Sequence, residues 1–333
     1  LARWGADAII CADLGTASLI HRYFPTVELH ASTQCAGHNA DAARFFSALG
    51  FSRMVAAREL SYTDLLTVCR ESPIETELFI HGAMCVSYSG RCLLSNHIIG
   101  RDGNRGMCAQ PCRWNYTIRG YEIVEEKRPD FAIPVEEVNG ETFILSSRDT
   151  CTIEHIPELV KAGVTSFKIE GRAKSAYYVA VVTNAYRKAI DGYLENPSDD
   201  YKPEQWIIDE MRKISYRDYC TGFFFGDPSE DANISYVGGY NREWDVVAVV
   251  DKWENGIAYC SQRNRFFEGD EIEAMVKGGK PFTVKATGLK NENSEPIEST
   301  NHPMMRFTFE CEIPLENGTI FRKERQETAR VII

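Results

Sequence analysis

Four cysteines, Cys85, Cys92, Cys108 and Cys112, fall within 28 residues at the spacing C-x6-C-x15-C-x3-C. Thiolates concentrated in this way suit a metal ion or an iron–sulfur cluster. Structural zinc sites favour paired knuckles with short spacers, and the x6 gap is wide for a second knuckle beside C-x3-C. Iron–sulfur clusters accept irregular spacings, because the core is large and its ligands come from separate loops. Thiols that bind nothing are the third alternative, and all three stay open on spacing alone. A radical-type C-x3-C-x2-C loop is disfavoured by Asn115 at its third position.

Other chemistries leave less trace. The chain has no H-E-x-x-H, G-x-S-x-G, P-loop or dinucleotide fingerprint, which argues against zincin proteases, serine hydrolases and nucleotide-dependent enzymes. Cys–His proteolysis survives as a minority reading, because His81 lies four residues before Cys85. Eleven cysteines without a secretory signal point to a reducing, cytoplasmic compartment, where clustered cysteines are ligands more often than disulfides. The singly scattered Cys11, Cys35, Cys69, Cys220, Cys260 and Cys311 read as small buried apolar residues.

The net charge of −11 opposes non-specific binding to polyanions. Between residues 85 and 120, however, Arg91, Arg101, Arg105, Arg113 and Arg119 face a single Asp102. A basic patch on an acidic protein suits a particular anionic partner; the plainer reading makes these arginines solvated loop residues or counter-charges to a cluster. No apolar run is long enough to cross a bilayer.

The elements that must position these residues alternate. Strand patterns at 7–12, 27–32, 53–58, 77–81 and 165–169 are separated by helical patterns at 16–23, 40–49, 61–70 and 152–162, and a long buried helix follows at 175–194. This rhythm predicts an α/β domain of parallel strands with right-handed crossovers over 1–195, interrupted by a cysteine-rich insertion at 83–150. The first residues read like the end of a helix running into a strand, with chain upstream of it. A helical connector is expected over 196–235, with a helix at 203–214. Short turn-separated strands then predict a small closed β-barrel over 236–333, with 263–273 as a hairpin edge. Polar residues recur at the strand C-terminal ends: Asp13, His30 to Gln34, Arg58 and Glu59, His81, then Lys168, Glu170 and Arg172. α/β barrels place their chemistry there, although such residues also cap loops.

The stretch E-L-F-I-H-G-A-M-C-V-S-Y-S-G-R-C-L-L-S-N at 77–96 closely resembles the signature of the collagenase-like peptidase family U32. L-H-A-S-T-Q at 29–34, R-D-G-N-R-G-M-C-A-Q-P-C-R-W at 101–114 and S-F-K-I-E-G-R at 166–172 agree with it. Residues 1–195 match throughout, and the C-terminal β-module matches the longer members. Within the family the chain is most similar to the bacterial tRNA uridine 5-hydroxylases, then to the 23S rRNA cytidine hydroxylases. The resemblance implies a (β/α)8 TIM-type barrel followed by a small β-barrel. It implies prephenate-dependent hydroxylation of a tRNA wobble uridine to 5-hydroxyuridine, without molecular oxygen and with an iron–sulfur cluster. Family barrels open with an E-L-L-A-P-A-G strand and two further βα units that this sequence lacks, so its strands would be four to eight of an incomplete barrel, with two unpaired edges. A collagenase-like peptidase, or a non-catalytic cluster-bearing scaffold, is the alternative.

The resemblance puts the family's cluster cysteines on Cys85, Cys92, Cys108 and Cys112, expected to hold a [4Fe–4S] cluster at the barrel mouth, with Cys151 as a spare. His30, Gln34, Arg58, Glu59, His81 and Glu170 are candidates for base contacts or proton transfer. Arg91, Arg113, Trp114, Lys168 and Arg172 are candidates for substrate binding. Arg91 and Arg113 adjoin ligands and could tune a cluster, and Arg172 could grip a phosphate or a prephenate carboxylate. Trp114 and Tyr116 could stack on an extruded loop base. The terminal β-module is the expected accessory RNA surface.

Overall fold

The computed structural model of the protein describes residues 2–114, 123–125, 128–133, 136–138, 141–143, 147–226 and 240–325. The opening rhythm is realised as β1 (Ala8–Cys11), α1 (Leu14–Tyr23), β2 (Glu28–Ala31), α2 (Ala40–Ala48), β3 (Arg53–Val55), α3 (Tyr62–Glu71) and β4 (Glu75–Ala83). Each helix starts where a short polar side chain satisfies a free backbone N–H. Asp13 accepts from the Thr16 N–H (2.6 Å), Asn39 from Ala42 (2.8 Å) and Ser61 from Asp64 (3.1 Å).

The cysteine segment follows, with α4 (Leu94–Ile99) and two antiparallel pairs, β5 (Ile123–Glu125) with β6 (Arg128–Ile133) and β7 (Glu136–Val138) with β8 (Glu141–Phe143). The chain returns through β9 (Asp149–Cys151), α5 (Ile156–Lys161), β10 (Ser166–Ile169), α6 (Ala176–Glu195), α7 (Gln205–Glu210) and β11 (Tyr219–Cys220). Five strands run parallel in the order β1-β2-β3-β4-β10. β9 pairs antiparallel with the end of β4, and β11, from the segment expected to be a helical connector, lies parallel beside β9. Among the described residues no ladder joins β10 back to β1. On β1, the edge strand, Ile10 is 52% exposed.

α6 is buried along most of its length, through Tyr178, Val181, Val182, Ala185, Tyr186, Ala189 and Tyr193. It closes the core beneath β4 and the other parallel strands. None of the helices among the described residues is long and apolar enough to cross a membrane.

The C-terminal domain is one antiparallel sheet of β12 (Trp244–Glu254), β13 (Ile257–Gln262), β14 (Glu271–Met275), β15 (Phe282–Lys285), β16 (Thr287–Asn291), β17 (Arg306–Glu310) and β18 (Ile320–Glu324). Its order is β15-β14-β18-β12-β13-β17-β16. The two edge strands, β15 and β16, are separated in the chain only by Ala286, so the sheet has to curl for both to be reached. No ladder pairs them. The module is therefore a curled half-barrel and not the closed barrel expected. The hairpin expected at 263–273 does not form either: β13 pairs with β12 and β17, and β14 with β15 and β18.

The two domains share a buried ionic contact. Arg322 of β18 is fully buried and donates to Glu273 (2.7 Å), to Tyr177 Oη of α6 (3.2 Å) and to Glu210 of α7. Lys213 joins through Glu273 at 2.8 Å. Met275 and Ile320 add apolar contacts to the α/β core. Removing one partner of a buried ion pair leaves the other charge uncompensated. Arg322→Met is therefore expected to destabilise the protein by about 3–5 kcal/mol, and Glu210→Gln in the same chain should recover part of that loss. Denaturant unfolding of the single and double variants measures both.

Candidate functional site

The C-terminal ends of β1 to β4 and of β10 open onto one cavity of about 550 Å³. Cys11 to Asp13, Ser32 to Gln34, Val55 with Arg58, Ala83 to Cys85, and Lys168, Glu170 and Arg172 line it, strand by strand. All four clustered cysteines, Cys85, Cys92, Cys108 and Cys112, line it too.

Local chemistry brings them there. Cys85 follows directly on β4, and the Arg58 guanidinium donates to its sulfur while stacking 4.1 Å from the Phe79 ring centroid. The loop from 86 to 91 is pinned by Glu59, whose carboxylate accepts the Ser89 N–H at 2.6 Å. Gly90 has φ +76° and lies so close to Gln34 that an added Cβ would fall 2.2 Å from the Gln34 carbonyl oxygen. Gln34 donates through Nε2 to the Gly103 carbonyl (3.3 Å), tying the next part of the segment to β2. Gln110 is left-handed (φ 58°), and its N–H points at Cys108 Sγ, 3.3 Å away.

Burial pushes the Cys112 thiol up to about 11; Arg113 opposes this, and the thiols of Cys85, Cys108 and Cys92 reinforce it. Cys112 thus feels the other three sulfurs. A cation binding here must displace the protons it replaces. Among the described residues no three His, Cys, Asp or Glu side chains stand close enough to share one metal ion. A mononuclear zinc site needs its donors about 2.3 Å from a single point, an arrangement the described side chains do not hold. The four thiols line one cavity, and N–H donors are aimed at the sulfurs of Cys85 and Cys108.

The other candidates divide. Gln34, Arg58, Lys168, Glu170 and Arg172 line the cavity with the cysteines. Lys168 is bonded to Glu77, which also takes Ser166 Oγ (2.9 Å) and Arg53 (3.3 Å). Glu170 accepts the backbone N–H of Arg172 (3.0 Å) and leaves its guanidinium at the rim. Glu59 acts behind the cavity wall, through Ser89. Arg91 is exposed and does not line the cavity.

Five expected site residues stand elsewhere or are otherwise engaged. Arg113 is no free substrate grip: its guanidinium is buried and donates to Asp149 (2.6 Å), Ser147 Oγ (3.0 Å) and the carbonyls of Met84 (3.0 Å) and Arg148 (3.3 Å). His30 does not face the cavity and pairs with Glu28 at 3.3 Å. His81 is buried among Tyr178, Tyr186 and Tyr219, its Nδ1 3.4 Å from Tyr186 Oη, and is absent from this cavity, so no Cys85–His81 pair forms. Trp114 is half-buried, its indole N–H on the Ala109 carbonyl (3.1 Å), and lies outside the lining. Cys151 sits against Tyr186 (3.8 Å), also outside it. Asn115, Tyr116 and Arg119 lie outside the described residues.

Sequence reading missed Asp149, the partner of Arg113, and the pair His38 and Tyr88, whose rings stack beside Glu59 with centroids 4.8 Å apart. His38 carried no signal beyond its place in a βα loop.

Two family descriptions match the chain, Peptidase family U32 over residues 1–234 and Peptidase family U32 C-terminal domain over 242–322. The chain belongs to peptidase family U32. Among its relatives, the tRNA hydroxylation protein P1 of Bacillus subtilis is 34% identical, with 95% of this chain and 74% of the relative covered. The 23S rRNA 5-hydroxycytidine C2501 synthase of Escherichia coli is 39% identical over 88% of this chain and 44% of its own length. A protein named collagenase from Porphyromonas gingivalis is 32% identical over 87% and 68%.

Two measurements probe this arrangement. Gly90→Ala forces a side chain into a left-handed position already filled by Gln34, a strain of about 1–2 kcal/mol or more; the variant should expose Cys85 and Cys92 to a thiol reagent faster than wild type. Burial holds His81 neutral down to about 4, whereas the unfolded chain takes up that proton near 6.5. Its contribution is complete above about pH 6.5 and is lost as pH falls towards 4, roughly 3 kcal/mol in all. Denaturant melts at about pH 7 and pH 4.5 should differ less in His81→Asn than in wild type by about that amount.

Proposed function

We propose that this chain hydroxylates a pyrimidine of a structured RNA, a tRNA wobble uridine giving 5-hydroxyuridine, in the cytoplasm. A [4Fe–4S] cluster held by Cys85, Cys92, Cys108 and Cys112 and prephenate as co-substrate complete the reading. The observation that carries it is the quartet itself, ringing one cavity with Arg58 and Arg172 at the C-terminal ends of parallel strands. The names of the relatives from Bacillus subtilis and Escherichia coli support an RNA substrate. On this reading the five parallel strands are strands four to eight of a (β/α)8 barrel, whose chemistry belongs at that face.

The cluster supplies one-electron transfer when bound. The chain's own residues do the rest. Arg58 and the Gln110 N–H donate to the sulfurs of Cys85 and Cys108 and fix where those sulfurs point. Arg172 and Arg105, exposed at the cavity wall, offer planar forks to phosphate or carboxylate oxygens. Glu170 holds the Arg172 backbone and sets where that fork begins. A Cys–His peptidase is not favoured, because His81 is buried away from the cavity that Cys85 lines. An rRNA cytidine is the second substrate compatible with the relatives' names.

Anaerobically purified protein is expected to be brown, with iron and sulfide near four per chain (about the content of one cubane). Cys→Ser at any of the four should empty it, while Cys311→Ser should not. Nucleoside mass spectrometry of tRNA from a deletion strain should lack 5-hydroxyuridine, restored by wild type and not by Cys112→Ser. A colourless preparation that cleaves gelatin and is blocked by thiol alkylation would sink the proposal.

A further inference from the structure

Tyr88 lies midway along the loop between Cys85 and Cys92, lines the cavity and is 52% exposed. One face of its ring is covered. The His38 imidazole stacks on it at 4.8 Å between centroids, 12° from parallel. His38 is itself fixed: its Nδ1 lies 2.6 Å from the Ala36 carbonyl, which can only accept, so Nδ1 carries the proton. Its Nε2 lies 3.4 Å from one Glu59 oxygen, and the other Glu59 oxygen takes the Ser89 N–H, next to Tyr88, at 2.6 Å. The Nδ1 bond fixes the imidazole and the Glu59–Ser89 bond fixes the backbone beside Tyr88, so the tyrosine ring is held against His38 while half of the residue stays in water.

Core packing does not account for this, because a packed tyrosine would bury its second face. Neither do the sulfurs, whose donors are Arg58 and Gln110. Trp114 is tied to Ala109 outside the cavity. A rigid, half-covered aromatic face at the edge of a cavity with cationic side chains is how proteins hold a base drawn out of a single-stranded loop. The cavity volume is within the roughly 300–1,000 Å³ range of ligand sites.

We propose that Tyr88 is the stacking platform for one unpaired pyrimidine base, which lies on the ring face opposite His38 with its flanking phosphates against Arg105 and Arg172. The inference rests on the RNA reading above and names the contact that receives the base. His38 is a positioning residue, acting through Tyr88.

The test is a double-mutant cycle between protein and RNA. Binding of a short RNA hairpin with one loop uridine is compared with the same hairpin made abasic at that position, using the protein as purified. Tyr88→Leu should weaken the uridine hairpin about tenfold, the worth of one stacked base, and leave the abasic hairpin unchanged. Tyr88→Phe should bind both like wild type, and His38→Gln should lose several-fold on the uridine hairpin alone. Equal losses on both hairpins, no loss in Tyr88→Leu, or no preference of wild type for the base overturns the platform; the same holds if a tyrosine-containing peptide competes and the hairpin does not. Tyr88→Leu that melts like wild type excludes misfolding, and Tyr88→Phe with His38→Gln decides the matter if it does not. Base-dependent binding without hydroxylated product would end the reaction proposed above and leave the platform standing. Wild-type kcat/KM in Tyr88→Leu would do the reverse.

Discussion

One buried guanidinium holds the site together. Arg113 follows Cys112 directly, and its donors reach the Met84 carbonyl, the residue before Cys85, as well as Ser147 and Asp149 at the start of β9. The first and last cysteines of the quartet are therefore tied to a single planar group, although they lie far apart in sequence. Asp149 is equally committed: it takes the Arg217 backbone N–H (3.2 Å) and lies 3.8 Å from Lys174. Burial alone would raise its carboxyl, but Arg113 and Lys174 hold it down at about 2. A buried pair of this kind adds little net stability over an apolar replacement, yet losing one member costs several kcal/mol. Its value lies in geometry, because a guanidinium with four acceptors cannot rotate without stranding buried donors.

From that anchor the site loosens outward. At the floor, Gly82 (φ +108°) lets β4 pass so close to β10 that a Cβ would meet the Glu170 carbonyl at 2.3 Å. No other residue permits both that dihedral and that approach. Above it, Cys92, Cys108 and Cys112 are half-buried and Cys85 is exposed, so the quartet spans the boundary between core and solvent. A cluster held there, as proposed above, would be shielded on one side and reachable on the other.

Much of this was legible in the sequence, for identifiable reasons. β1 to β4 and their helices follow from apolar runs closed by capping residues, Ser61 with Asp64 being the clearest. The cysteines announced themselves by density. Arg113 was misread because a sequence shows an arginine beside a ligand but not the carboxylate that will claim it 36 residues later. His81 was misread because strand ends place polar groups near a cavity without fixing which way they turn, and the packing of α6 turned it inward. β16 and β18 leave little trace in the sequence, because Gly288 within one and Arg322 within the other break the apolar alternation that marks a strand. Arg322 is there for the interface with Glu210, a constraint no local pattern carries.

The charge distribution bears on how a polyanion could use such a site. Among the described residues five cations line the cavity, Arg58, Arg105, Arg113, Lys168 and Arg172, against the carboxylates of Asp13 and Glu170. Arg113 and Lys168 are spent on Asp149 and Glu77, and Arg58 on Cys85. Arg105 and Arg172 remain for a ligand, on a chain whose net charge is −11. Exposed charges act over roughly a Debye length, about 8–10 Å at physiological salt. A rigid duplex lying along the surface would meet the acidic exterior and be repelled. A loop that projects a single nucleotide inward escapes most of that repulsion and reaches the two free arginines. On the RNA reading proposed above, overall acidity combined with a recessed basic pocket would select by shape, favouring protruding single-stranded segments over helices of the same charge density.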